Sequence, residues 1–333
     1  MRCGVLGAGS WGTALAIQLC RQGHEVRIWD RNPERVETMN RDHRNPRYLT
    51  SVILPSNLVA SSDLSSVAEF SDFLVPVVPS HGLREVLSLC QDAVSSDTVV
   101  CCATKGLEEE SLDTVFEVAC ASLPTVNANQ ITVLSGPSFA LEVAEGLPTA
   151  VVIAGADGAG HVASEAFHGD RFRVYHTEDV TGVCVGGSLK NVMAIACGVS
   201  DGAGLGTNAR AGLITRGLAE VTRLAADLGA HPLTMMGLAG MGDLVLTCTG
   251  SLSRNRRVGL GLGKGQTLSE ILDELGEVAE GVRTARSAVQ LARQRGVEMP
   301  ISEEIYSVLY DSKPVGEALE DLMRRGRRAE RDK

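Results

Sequence analysis

The sequence predicts an α/β protein: an N-terminal Rossmann-type domain built on a parallel sheet, followed by an all-helical C-terminal domain. Three observations predict it. A glycine-rich run, "GVLGAGSWGTALA", follows an apolar strand pattern almost at the first residue. Short β-branched runs then alternate with amphipathic stretches. After about Val180 the texture changes to long alanine-, leucine- and glycine-containing segments with helical periodicity. We expect a dinucleotide-binding domain over 1–180, a helical substrate-binding domain over 181–325, and a basic tail over 326–333.

Taken in order, the strand patterns are Arg2–Leu6, Glu25–Trp29, Phe73–Val78, Thr98–Ala103 and Ile131–Ser135. Helical patterns lie between several of them, including Trp11–Gln22, ended by Gly23, and Gly82–Asp92. A β-like pair, Thr149–Ala154 and Arg171–Tyr175, is expected to extend the sheet at an edge. In the second half Asn208–Leu228, Thr267–Leu275 and Arg283–Arg295 read as helices, with Thr267 and Ser269 as cap candidates. The apolar run Val180–Ser200 is long enough to raise the question of a membrane span. Four glycines and a central lysine make it read instead as a buried segment of a soluble domain.

At 333 residues, 44% hydrophobic and 22% charged, the chain has room for two cores. A net charge of -10 argues against nonspecific binding to nucleic acid or an anionic membrane. An anionic substrate would therefore need a local basic pocket in an acidic body. The nine cysteines form no C-x-x-C pair and no metal-like spacing with histidine, so we expect buried, reduced thiols, no metal, and a cytoplasmic location. The N-terminus enters a strand pattern at once and carries no signal-peptide pattern.

Gly7, Gly9 and Gly12 have the spacing G-x-G-x-x-G between a strand and a helix pattern. In that context the first glycine permits the turn, the second lets backbone approach a pyrophosphate, and the third packs helix on strand. The helix start would offer free N–H groups and a positive dipole end to the phosphates. The second strand ends in "WDRNP", where an adenine ribose should lie. Asp30 suits the hydroxyls of NAD, whereas Arg31 suits the 2′-phosphate of NADP, and the residues leave the choice between them open.

Lys190 in "GGSLKNVMAIACG" is the only charge from Val180 to Ser200. Desolvation would lower its pKa and make it a general base near neutral pH; the other reading is a lysine that snorkels to solvent. Asn191 beside it is placed to orient a hydroxyl. Asp243 lies in the glycine-rich stretch "GLAGMGDLVLTCTG" and would orient Lys190, hold a substrate hydroxyl, or cap the next helix. "GSLSRNRRVG" reads as an anion site: Ser251 and Ser253 can cap a helix beginning near Arg254. Arg254, Arg256 and Arg257 crowd that positive end unless a phosphate compensates them or they spread over a solvated face. Lys105 and the "SGPSFA" turn with Ser138 follow predicted strands at their carboxyl ends, where ligands of open α/β sheets bind. His81 occupies such an end too, without an assigned catalytic role.

Together, "GAGSWGTALA", "VPSHGLREVL", "ATKGLE", "SGPSFALEVA", "SLKNVMAIACG", "GMGDLVLTCTG", "SRNRRVG", "LGKG" and "EGVRTA" strongly resemble the bacterial NAD(P)-dependent glycerol-3-phosphate dehydrogenases over nearly the whole chain. The resemblance implies a site in the cleft between the domains and reversible hydride transfer between NAD(P)H and dihydroxyacetone phosphate, giving sn-glycerol 3-phosphate for phospholipid synthesis. It implies cofactor contacts from Ser10, Trp11, Arg31, Asn32, Tyr48, Lys105, Ala140, Arg254, Val278 and Glu280. It places substrate against Lys105, Gly136, Ser138, Lys190, Asn191 and Asp243, with Ser253, Arg254 and Asn255 at the phosphate end. Lys190 would accept the proton in oxidation, with Asp243 beside it, and a homodimer is the family-level expectation. Three features depart from the pattern: Pro76 in "FLVPVVPS", Asp30 before Arg31, and the segment "CQDAVSSDTVV". Pro76 predicts a bulge or an early strand end. The rival readings are another two-domain NAD(P)-dependent hydroxy-acid dehydrogenase, disfavoured by "SRNRR", and a non-catalytic nicotinamide sensor, which has no need of Lys190.

Overall fold

The computed structural model describes residues 1–276, 279–326 and 329–330. Its strands are β1 (Arg2–Leu6), β2 (Glu25–Trp29), β3 (Leu58–Ser61), β4 (Phe73–Pro76), β5 (Val99–Cys102), β6 (Ile131–Ser135), β7 (Thr149–Ala154) and β8 (Phe172–Thr177). Among the described residues they form one eight-stranded sheet in the order β3-β2-β1-β4-β5-β6-β7-β8. The first six strands run parallel, β7 reverses against β6, and β8 runs parallel to β7. The β7–β8 pair thus extends the sheet at an edge. From Val180 onward the described structure is helical.

Local differences from the sequence reading have physical causes. The edge strand β3 is four residues long, and its apolar run of three, buried Leu58 and Ala60 flanking half-exposed Val59, is too short to announce a strand. β4 stops at Pro76 rather than Val78, and its pairing with β5 covers only Phe73 and Leu74. A proline has no N–H to donate to a ladder, and the early strand end follows. The β8 edge is blunted: Phe172 exchanges hydrogen bonds with Gly169, and His168 Nδ1 accepts the Val174 N–H at 3.3 Å.

The helix Val180–Gly202 is the axis of the second half. It is long and apolar enough to cross a membrane, yet its apolar window is wholly buried inside this fold. Its glycines let it lie backbone to backbone on the helix Arg254–Gly263. A Cβ added at Gly198 or Gly202 would strike the carbonyl oxygens of Arg256 or Leu260. The same addition at Gly259 or Gly263 would strike those of Ile195 or Val199. Residues of poor helix propensity are therefore what brings the two site-bearing helices together.

Glu220 contributes a pH-sensitive joint away from the site. It is 2% exposed and its carboxylate accepts from the Ile301 N–H at 2.7 Å and the Ser302 N–H at 3.2 Å, at the start of the helix Pro300–Tyr310. Burial pushes its carboxyl up to about 7 from 4.5, against those donors. Between these values the folded chain holds a proton that the unfolded chain has released, so stability falls as pH rises from 4.5 to 7. The loss attributable to this group is about 3 kcal/mol. Thermal unfolding followed from pH 5 to 8 is expected to show this decline in the parent and a flatter curve in Glu220→Gln.

Candidate active site

The carboxyl ends of the parallel strands and the helix Val180–Gly202 come together along one candidate cleft, where Ser188 Oγ accepts the Gly106 N–H at 3.1 Å and a Cβ at Gly187 would come 2.6 Å from Ser135 Oγ. At its first end β1 turns through Gly7 (φ 122°) into the helix Ser10–Arg21. A Cβ at Gly12 would collide with the Gly7 carbonyl oxygen, so the protein's own packing demands that glycine. Gly9 is different, because a Cβ there would meet no protein atom within 4 Å. Gly9 is also the N-cap and supplies no side-chain cap to the helix N–H groups. The adjacent Trp11 indole Nε1 is buried without a hydrogen-bond partner. An open glycine, uncapped N–H groups and an orphaned donor fit a dinucleotide pyrophosphate on this turn.

Beyond β2 the two competing clues separate. Asp30 is 5% exposed; its carboxylate accepts the Asn32 N–H at 2.9 Å and faces the Arg35 guanidinium at 3.4 Å. Asn32 itself caps the helix Pro33–Asp42, while Arg31 is exposed at the rim. Tyr48 lies between Arg35 and Arg47, with ring-to-guanidinium distances of 5.7 and 5.4 Å. Its loop is tied to the glycine turn by the fully buried Asn45, whose Nδ2 donates to the Ala8 carbonyl at 2.9 Å and whose Oδ1 accepts the Tyr48 N–H at 3.0 Å. Nothing in the sequence pattern marked Asn45.

The other end of the cleft holds a chain of charges. Lys190 is 8% exposed and does not snorkel: its Nζ donates to Asp243 Oδ1 at 2.7 Å and to Thr247 Oγ1 at 3.0 Å. Lys105 Nζ takes the second carboxylate oxygen, Oδ2, at 2.7 Å and the Gly136 carbonyl at 3.3 Å. Burial pulls Lys190 down to about 8; the nearby Lys105 ammonium assists, and Asp243 opposes. Burial pushes Asp243 up, but the two ammoniums outweigh it and hold the carboxyl below its ordinary value. Asp243 is therefore a buried anion shared by two cations.

Asp243 is neither in an open loop nor a helix cap. It is the first residue of the helix Asp243–Thr249, which follows a π-helical turn, Leu238–Gly242, made by the glycine-rich stretch. Thr247, one helical turn further, was not singled out from sequence although its four-residue spacing from Asp243 was the available signal. Ser138 does not start a helix either; the helix Ala140–Glu145 begins after Phe139, and Ser138 Oγ donates to the Gly136 carbonyl at 3.0 Å.

Ser253, not Ser251, caps the helix Arg254–Gly263 by accepting the Arg256 N–H at 3.2 Å. Arg256 is compensated by protein, since Asp201 Oδ2 lies 2.6 Å from its Nη2. Arg254 and Arg257 are exposed at the cleft-side helix start, and Arg254 faces Glu280. Asn255 and Asn191 bond to each other at 2.9 Å, and Asn255 Oδ1 accepts the Gly281 N–H at 2.9 Å. Burial raises the Glu280 carboxyl, opposed by Arg254 and by the Ser80 N–H that it accepts from the opposite side of the cleft. Val278 lies outside the described residues.

No group of three or more His, Cys, Asp or Glu side chains able to hold a metal occurs among the described residues. All nine cysteines are free there, and burial pushes thiols such as Cys3 and Cys184 up to about 12.

Comparison with known proteins identifies the family. Residues 2–160 match the family model of the NAD-dependent glycerol-3-phosphate dehydrogenase N-terminus, and residues 179–320 match that of the C-terminus. The chain is 51% identical over 326 residues to glycerol-3-phosphate dehydrogenase [NAD(P)+] of Anaeromyxobacter dehalogenans, covering 98% of each. It is 51% identical over 331 residues to that of Geobacter sulfurreducens, covering 99% of each. The crystal structure of glycerol-3-phosphate dehydrogenase from Coxiella burnetii superposes with a TM-score of 0.93 at 41% identity, over 97% of this chain and 99% of that one. The chain belongs to the NAD(P)-dependent glycerol-3-phosphate dehydrogenase family.

Proposed function

We propose that the chain interconverts dihydroxyacetone phosphate and sn-glycerol 3-phosphate with a nicotinamide cofactor, in the cleft between a dinucleotide-binding domain ending near residue 180 and the helical domain after it. The observation that carries this reading is the buried Lys190–Asp243–Lys105 chain between a dinucleotide turn and an arginine-bearing helix start. Gly9, Ser10 and Trp11 hold the pyrophosphate, with Arg31, Asn32 and Tyr48 at the adenosine end. Ala140, Arg254 and Glu280 lie toward the reacting end. When bound, the nicotinamide accepts or supplies the hydride.

The chain's own residues move the proton and hold the substrate. Neutral Lys190 takes the proton of the C2 hydroxyl during oxidation and, as the ammonium, returns it to the C2 oxygen during reduction. Asp243 and Thr247 aim the Lys190 amine, and Lys105, with Gly136 and Ser138, holds the hydroxyl end of the substrate. The uncapped N–H groups at the start of the helix Arg254–Gly263, with Arg254 and the Asn191–Asn255 pair, take the phosphate, while Ser253 accepts the Arg256 N–H and fixes that turn. Anchoring that end fixes C2 against the nicotinamide, so a substrate without phosphate loses rate as well as affinity.

We read a preference for NADP from the second strand's end: the Asp30 carboxylate accepts the Asn32 N–H and faces the Arg35 guanidinium, while Arg31 is exposed and suits a 2′-phosphate. Purified protein given dihydroxyacetone phosphate is expected to consume NADPH in preference to NADH. Arg31→Ala should lower kcat/KM about tenfold with NADPH and little with NADH. Consumption of reduced cofactor with phosphate-free hydroxy-acid partners but not with dihydroxyacetone phosphate would overturn the assignment. A role in supplying glycerol phosphate to lipid synthesis, action in the cytoplasm and a homodimeric state belong to the same proposal.

A further inference from the structure

Lys105 sits at the end of β5 on a short connection that has no regular structure to fix it. The connection is held before Lys105 by Thr104, whose Oγ1 donates to the Val78 carbonyl at 2.7 Å, and after it by the helix that carries Lys190. Ser188 Oγ, in a residue 1% exposed, accepts the Gly106 N–H at 3.1 Å and donates to the Cys184 carbonyl one turn back at 2.7 Å. Gly106 has φ 139°, and a Cβ there would lie 2.6 Å from Ser80 Oγ. The peptide is therefore packed between Ser80 and Ser188, a place only glycine fits. Beside it, Gly187 packs against the end of β6, where a Cβ would come 2.6 Å from Ser135 Oγ, and lies within van der Waals reach of the Lys105 stem.

We propose that Ser188 is a positioning residue for the reaction: by holding the Gly106 N–H it fixes where Lys105 places its ammonium against Asp243, and so the charge that faces Lys190. The inference rests on the proposed roles of Lys105 and Lys190. Among the described residues, the titratable groups facing Lys190 are Asp243 and Cys248 from the helix Asp243–Thr249, Lys105 from the β5 connection and Glu280 from the helix Glu280–Arg295. Of these, only Lys105 is a cation, and it is the one that Ser188 controls. If Lys105 drifts outward, Lys190 loses a repelling neighbour and keeps its proton to higher pH.

The test is a double-mutant cycle of Ser188→Ala and Lys105→Met, measuring kcat and KM for glycerol 3-phosphate oxidation from pH 6 to 10. Ser188→Ala is expected to raise KM about tenfold and move the acidic limb of the profile to higher pH, in the direction of Lys105→Met. In the Lys105→Met background it should change neither. Ser188→Cys, which keeps the volume and weakens the acceptor, should fall between parent and Ser188→Ala, and it carries the same cycle if Ser188→Ala does not fold. Equal losses in both backgrounds, or a limb that stays in place, would overturn the role of Ser188 alone. A Lys105→Met enzyme with parental KM and limb would overturn the role of Lys105 as well.

Discussion

Replacing Lys190 with alanine is expected to lower kcat for glycerol 3-phosphate oxidation by roughly 10³-fold, the range for losing a positioned general base. Cofactor affinity should stay within a factor of about three, because Lys190 lies at the reacting end of the cleft and not on the glycine turn. The loss should be shared by kcat and kcat/KM, since proton transfer matters only as the transition state is reached. A small primary amine added to the alanine variant should restore part of the rate, with strength following the amine's basicity. Titration of cofactor and initial rates with and without amine check both statements. Near-parental turnover would remove Lys190 from the proton's path.

Asp243→Asn should be nearly as damaging for a different reason. The carboxylate is 1% exposed and bonds two ammoniums at 2.7 Å each. Removing its charge leaves Lys105 and Lys190 facing one another with no bonded counter-ion and only the Glu280 carboxylate as a nearby opposite charge, at a cost of about 3 kcal/mol in stability. We expect kcat/KM to fall by roughly 10² or more. The sign of the pH effect distinguishes this variant from Lys105→Met. Asp243 holds Lys190 protonated, so its removal lets the amine lose its proton at lower pH and moves the acidic limb of oxidation down. Removing Lys105 moves it up. Urea unfolding and pH–rate profiles of the two variants measure both.

The parts of this site that were legible in sequence are those enforced by one segment at a time. Gly7, Gly9 and Gly12 were readable because a strand–turn–helix fixes their roles locally, and Lys190 because one charge stood in a long apolar run. Ser253 as a cap followed from its position before "RNRR". What stayed hidden depends on contacts between distant segments. Asn45 acts on Ala8, Ser188 on Gly106 and Asp201 on Arg256, and a polar residue's partner across such separations leaves no mark in its own neighbourhood. The partners of Asp30, the Asn32 N–H and the Arg35 guanidinium, were likewise hidden. Small elements were lost for a related reason: β3 takes its burial from β2 and not from its own four residues.

One titration bears most directly on the central claim that a single buried amine carries the C2 proton both ways. The rate of glycerol 3-phosphate oxidation should climb with pH through an inflection near 8, the value to which burial pulls Lys190. Dihydroxyacetone phosphate reduction should fall through the same inflection, because it needs the ammonium. Mirror-image limbs that both vanish from the residual activity of Lys190→Ala are the predicted result. An inflection that persists in that variant, or that appears in one direction only, would contradict it.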